Sequence, residues 1–242
     1  VKKLLIAIGV GTGLATLLGG GFIAWALDAY RADPLAQARA LNDSRVVISE
    51  RDGFIVIRPS AAPSAIGLLF YPGLRIEPKA YLSKLVALSS KARVNIVIGR
   101  PRLNIAAFSI GQADDMRKEL TGIERWYVGG HSLGGAAACY YASKHRDDLQ
   151  GIVLFGTYCG SDISKSRLAT LAIVADRDGI MAPETIEQHA VELPANAQIV
   201  RVAGMVHSQF GNYGPQAGDG RPSIDDDQAC DAISEAARAF FH

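Results

Sequence analysis

The sequence predicts an α/β fold: a mostly parallel sheet of about eight strands flanked by helices, preceded by one hydrophobic helix. Three observations carry this expectation. Short apolar runs recur at 66–71, 94–98, 152–155, 169–175 and 198–202, the first of them continuous, as in a strand buried on both faces. Segments of helical spacing lie between and after them, at 77–90, 112–120, 132–145, 184–192 and 225–241, and such alternation gives parallel strands joined by helical crossovers. Finally, the chain has 242 residues, 49% of them apolar, which suits one domain of roughly 200 residues with a sizeable core plus a short appendage.

The appendage comes first. Val1-Lys2-Lys3 is basic, and Leu4 through Leu27 contains no charged residue. As a helix this run would measure about 36 Å, enough to cross a hydrocarbon core of about 30 Å. Ala24-Trp25-Ala26 is a small-x-small site, so a signal peptide cleaved after Ala26, giving a secreted domain, competes with a retained anchor. The run exceeds the usual length of a signal peptide's apolar region, which favours a single-pass anchor through residues 4–27. Lys2 and Lys3 then belong in the cytoplasm and the rest of the chain outside it. Residues 28–44, polar and Ala-rich with Pro34, read as a juxtamembrane linker or helix, and 45–242 as the globular domain.

Arg45 to Glu50 and Phe54 to Arg58 flank Asp52-Gly53 and read as a β-hairpin. Ile66 to Tyr71 is a buried strand ended by Pro72-Gly73, and in Glu77 to Ser90 the residues Tyr81, Leu82, Leu85 and Leu88 share one helical side. Val94 to Ile98 is the next strand, Gln112 to Leu120 a charged, half-exposed helix, and Arg125 to Gly129 a further strand. Asp225-Asp226-Asp227 lacks a calcium-loop pattern and reads as the favourable acidic start of the last helix. Without Lys2 and Lys3 the chain carries 23 basic and 24 acidic residues, and no basic run is interleaved with aromatics, so no nucleic-acid partner is expected. Cys139, Cys159 and Cys230 lack the spacing of a zinc site or disulfide framework and read as buried or idle thiols, with a single bridge open to an exported domain. No metal or organic cofactor is called for, and oligomeric state is not legible.

The chemistry centres on Gly130-His131-Ser132-Leu133-Gly134, set between a strand and a small-residue helix. This is the Gly-x-Ser-x-Gly elbow, in which a strained turn holds the serine hydroxyl out at the strand's end. The serine needs a base. Of the five histidines, His131 lies inside the elbow and is expected to face away, His145 and His189 fall on charged helix surfaces, and His242 ends the sequence. His207 follows a strand in a Gly-rich loop and can reach across the sheet's carboxyl edge. The base in turn needs a carboxylate to hold its tautomer, and Asp176 or Asp178, after strand 169–175, can supply it. One oxyanion donor is the amide of Leu133, directly after the nucleophile.

Ser132, Asp178 and His207 thus follow the fifth, seventh and eighth strands. This order, with Tyr71-Pro72-Gly73 and the segment His207-Ser208-Gln209-Phe210-Gly211-Asn212-Tyr213-Gly214, resembles the α/β-hydrolases over residues 45–242. The resemblance is nearest to dienelactone-hydrolase-like enzymes, particularly bacterial membrane-associated members of the alpha/beta hydrolase fold-5 group. Dienelactone hydrolases proper carry a cysteine where this chain has Ser132. By resemblance Ala175-x-x-Asp178 selects Asp178 as the acid, and the turn after strand three makes the amide of Leu74 the second oxyanion donor. Gly73, Arg75, Phe210 and Tyr213 are candidate substrate-lining residues: Gly73 allows close backbone approach, Arg75 is either placed to steer an acidic substrate or only solvated, and Phe210 and Tyr213 either wall the pocket or pack the loop. The connection from Phe155 to Leu168 is too short for a large lid, so loops 99–111 and 207–224 are expected to set specificity. The expected activity is hydrolysis of a small-molecule ester, lactone or thioester by a Ser-Asp-His triad. A peptidase or acyltransferase on the same triad, or a non-catalytic binding protein on the same fold, are the alternatives.

Overall fold

The computed structural model describes residues 19–61 and 63–242. Residues 19–27 are helical (α1). Most of the expected 4–27 span lies outside the described residues, among which no helix is long and apolar enough to cross a membrane.

The domain is built on one eight-stranded sheet of order β1-β2-β4-β3-β5-β6-β7-β8. Its strands are β1 Val46–Arg51, β2 Phe54–Pro59, β3 Ile66–Tyr71, β4 Asn95–Ile98, β5 Arg125–His131, β6 Gly151–Phe155, β7 Ala169–Ala175 and β8 Gln198–Val202. The hairpin strand β2 runs antiparallel to both β1 and β4, and every later pairing is parallel. The apolar strands are continuous rather than alternating because both faces are covered. Ile66, Leu68 and Phe70 of β3 enter one core, and Leu69 and Tyr71 enter the other. Helices α3 (Leu82–Ala92) and α7 (Asp226–Phe241) pack on the first face and α5 (Leu133–Lys144) on the second. The remaining helices are α2 (Pro34–Leu41), α4 (Gln112–Lys118) and α6 (Pro183–Gln188).

The helix expected from Glu77 begins instead as a 3₁₀ turn, Pro78–Tyr81, because Pro78 favours a helix start and has no N–H to donate. Asp225 caps α7 by accepting from Gln228 N at 2.7 Å, while Gln228 Oε1 accepts from Asp225 N at 3.0 Å. The buried Lys84 ammonium donates to the Asp226 carbonyl at 2.6 Å, so this acidic stretch serves helix starting and packing.

Two points that the sequence left open take a definite form at this level. Residues 28–44 hold a helix and lie against the domain. Tyr30 bridges to Ile76 as a short parallel pair, Asp33 N donates to Asn212 O at 2.7 Å, and α2 packs on α3. Pro34 sits at the first turn of α2 and Asp33 caps it through Ala36 N, so local sequence stops and starts the helix just where it meets the domain. Cys139 and Cys159 are bonded, joining α5 to the loop after β6, with Cα atoms 5.4 Å apart. Closing this loop stabilises the fold by about 3 kcal/mol in the chain-entropy account. Cys230 alone is a free thiol, and burial pushes its pKa up.

Candidate active site

Ser132 occupies the single residue between β5 and α5, with φ 53° and ψ −127°. A non-glycine residue there costs about 1–3 kcal/mol and stays only if its surroundings over-determine it. They do. Ser132 N donates to Phe155 O at 2.9 Å, and Ser132 O accepts from Gly135 N at 2.9 Å and Ala136 N at 3.1 Å. A Cβ on Gly130 would lie 2.5 Å from the Gly134 carbonyl carbon, and one on Gly134 would strike the Tyr71 and Pro72 carbonyls. Only glycines let strand and helix meet this closely. The turn puts the half-buried Ser132 beside the opening turn of α5, where the Leu133 amide is among those without an intrahelical acceptor.

His207 opens a short 3₁₀ turn, His207–Phe210, beyond β8. Its Nδ1 donates to Asp178 Oδ2 at 2.7 Å, and both side chains are fully buried. Asp178 lies beyond β7 and is aimed by its own turn: Oδ1 accepts from Ile180 N at 2.9 Å and Met181 N at 2.7 Å. With its proton on Nδ1, the ring presents Nε2 as an acceptor. That atom is buried and has no hydrogen-bond partner among the described residues. Asp176 is engaged elsewhere, accepting from Arg201 Nε at 2.8 Å.

A residue the sequence reading missed ties this pair together. Asp219 accepts from the amides of His207 at 3.1 Å, Ser208 at 2.8 Å, Gly179 at 3.2 Å and Gly220 at 2.8 Å. Burial pushes its carboxyl up, but the amides of Ser208, Gly179 and Gly220 outweigh burial and hold it below its ordinary value. One carboxylate therefore clamps the loop bearing the histidine to the loop bearing Asp178. Only its place in a Gly-rich loop, Gly218-Asp219-Gly220, marks it in the sequence.

His131 does not face away as expected. It is fully buried with its ring centroid 4.4 Å from that of His207, because β5 stays extended through His131 and directs it under the histidine turn. Tyr81 OH accepts from Gly73 N at 2.9 Å and lies 2.9 Å from His131 Nδ1. Having accepted one N–H, the hydroxyl has its own proton left for Nδ1. Burial, then repulsion from His207, holds the His131 pKa well below 6.5, so a neutral ring underlies His207.

Around the turn after β3, the Gly73 amide is taken by Tyr81 and the Arg75 amide by Asn104 O at 2.9 Å. The Leu74 amide between them has no partner among the described residues. The pairing of Tyr71 with Gly130 brings this turn beside the elbow. The other candidate lining residues make packing or ion-pair contacts. A Cβ on Gly73 would meet Ile76 and His131, so its open side faces packing rather than substrate. Arg75 pairs with Asp28 at 3.0 Å and lies over the Trp25 ring at 4.8 Å. Phe210 is fully buried, stacked on Phe155 at 5.4 Å and beside His131 at 5.2 Å. Tyr213 is buried against Tyr30, with ring centroids 5.6 Å apart. Burial of aromatic rings outweighs leaving them on a wet pocket wall.

The model of the alpha/beta hydrolase family matches residues 67–231. A probable proline iminopeptidase of Streptomyces coelicolor is 32% identical over 133 residues, 52% of this chain and 39% of that protein. The match thus spans well under half of that relative. A hyperthermophilic esterase from the archaeon Pyrobaculum calidifontis superposes with a TM-score of 0.58 at 16% identity, over 93% of this chain and 92% of its own. Est1E from Butyrivibrio proteoclasticus superposes with a TM-score of 0.56 at 15% identity, over 81% of this chain and 97% of its own. At these identities the structures speak for the fold.

Proposed function

Since the chain belongs to the alpha/beta hydrolase family, we propose that it is a serine hydrolase cleaving a carboxylic ester, lactone or thioester through an acyl-enzyme. The observation that carries this reading is the buried Asp178–His207 hydrogen bond at 2.7 Å, with Nε2 unpartnered among the described residues and the ring 4.4 Å from that of His131, the residue before Ser132. His207 Nε2 takes the Ser132 proton as Oγ attacks the carbonyl carbon, and Asp178 stabilises the imidazolium. The Leu133 and Leu74 amides receive the oxyanion, each such donor being worth about 3 kcal/mol in the transition state. His207 returns the proton to the leaving group, and water then releases the acyl chain by the same steps.

An ester is favoured over a peptide because solved esterases share the fold along most of their length, whereas the iminopeptidase match covers 39% of that protein. We also propose that residues 4–27 anchor the chain, with the catalytic domain outside the cytoplasm. Lys2 and Lys3 support that orientation, and the Cys139–Cys159 bridge suits an oxidising compartment. A fluorophosphonate probe tests the chemistry: it should label the folded protein and fail to label Ser132→Ala. Absence of labelling on folded wild-type protein refutes the reading. Rates on p-nitrophenyl esters of increasing chain length then separate esterase from peptidase or acyltransferase use.

A further inference from the structure

Helix α1 is not a dangling end. Ala26 is fully buried, and its carbonyl accepts from Asn104 Nδ2 at 3.2 Å. The Arg75 guanidinium covers Trp25 and pairs with Asp28, and Phe22 meets Phe108 at 6.4 Å between centroids. From there the chain runs along the turn after β3, Tyr30 N donating to Arg75 O at 2.7 Å and Glu77 N to Tyr30 O at 2.9 Å. Each partner in this set lies in the loops after β3 or β4, at the carboxyl edge of the sheet. That is the edge where Ser132 and the Leu74 amide lie.

Among the described residues, the same helix leaves several large apolar side chains uncovered. Phe22 is 42% exposed, Ile23 46%, Trp25 44% and Leu27 57%, and the adjoining Phe108 is 53% exposed. Contiguous exposed apolar side chains of this size mark an interaction surface. What covers them is indicated by the chain leading into the helix: residues 4–18 carry no charge and Lys2 and Lys3 precede them. Aromatic side chains at the end of such a run are typical of a membrane–water boundary. A signal peptide destined for removal would also have no reason to bury Ala26 or to engage Asn104 and Arg75.

We propose that this face rests on a lipid bilayer, so that α1 holds the carboxyl edge against the membrane and the substrate is an amphipathic ester partitioned into it. The proposal rests on the serine-hydrolase reading for its substrate and on the contacts of α1 for its surface. The two come apart in one experiment on the full chain in phosphatidylcholine vesicles. Phe22→Gln/Ile23→Gln should still float with the vesicles and cleave a short water-soluble ester within twofold of wild type. Its rate on a long-chain ester dissolved in the bilayer should fall at least tenfold. Equal rates on the embedded ester, or an equal fall on both esters, overturns the proposal. So does a mature N-terminus at Leu27. In a Trp126→Phe background, brominated phosphatidylcholine should quench Trp25, and absence of quenching also overturns it. If neither ester is cleaved and no fluorophosphonate label forms, the hydrolase reading fails, while Trp25 quenching still reports on the surface.

Discussion

The two sides of Ser132 are held by different means. On the β7–β8 side, Asp178 and His207, the proposed acid and base, are fixed by charge-assisted bonds within loops. Asp178 takes two amides of its own turn and the imidazole, and Asp219 takes four more amides across both loops. On the β3 side, no backbone amide of residues 72–75 is held by a carboxylate among the described residues. Gly73 N takes a tyrosine hydroxyl and Arg75 N the Asn104 carbonyl, while the Arg75 side chain pairs with Asp28 and Glu77 accepts from Ala32 N at 3.0 Å. Under the proposed reaction, the difference follows from what each side must do. A base has to stay aligned through two opposite proton transfers, so its backbone is clamped by strong acceptors. An oxyanion turn has to keep one amide unpaired, and it does so because its neighbours' amides are occupied.

The largest effect should come from removing the clamp. Asp219→Ala leaves the amides of His207, Ser208 and Gly179 without their acceptor. The loop bearing His207 then loses its clamp, and misplacement of the ring on the order of 1 Å can cost about 100-fold in rate. We expect kcat to fall by about that factor with KM little changed, measured on a short soluble ester. Asp219→Asn, which keeps one acceptor oxygen, should recover part of the loss. If Asp219→Ala retains wild-type kcat, the two sides are not held differently and the comparison fails.

A smaller effect is expected on the other side. Tyr81→Phe removes the hydroxyl shared by Gly73 N and His131 Nδ1 without changing the ring that packs on Phe70. Leaving buried groups unpaired costs about 1–3 kcal/mol of stability. Because the Gly73 amide moves with Leu74, kcat should also fall by about tenfold, less than for Asp219→Ala. A purely structural role for Tyr81 would lower the unfolding midpoint and leave kcat unmoved.

The contrast also explains what the sequence made legible. Strand-end positions of Ser132, Asp178 and His207 could be read because each follows a short apolar run with its own turn signal. The sheet could be read because strands buried on both faces are continuously apolar. Asp219 was not legible: its Gly179 partner is 40 residues away and its value lies in backbone amides, which no side-chain pattern encodes. The direction of His131 was not legible because it depends on β5 remaining extended to the elbow, two residues beyond the expected strand end at Gly129. Phe210 and Tyr213 look like pocket residues in a Gly-rich loop, and only tertiary packing shows that they lie beneath it. Residues 28–44 admitted a helix or a linker, and Pro34 with the Asp33 cap sets a helix that α3 receives.

His131 supplies the most delicate test, since it joins the two sides by touching both Tyr81 and His207. Its folded pKa lies well below 6.5 while the unfolded chain titrates near 6.5, so below that pH the unfolded chain binds more protons. Stability is therefore complete above about pH 6.5 and declines on acidification, by about 1.4 kcal/mol per pH unit until the folded pKa is reached. Asp219 does not confuse this window. Its folded pKa is lowered, so its contribution is lost only as pH falls through the carboxylate range. Denaturant unfolding between pH 7 and pH 5 should show the slope in wild type and a flatter one in His131→Gln. An unchanged slope in that variant would mean that the acid sensitivity arises from another group, and that the ring beneath His207 is not the neutral support its burial demands.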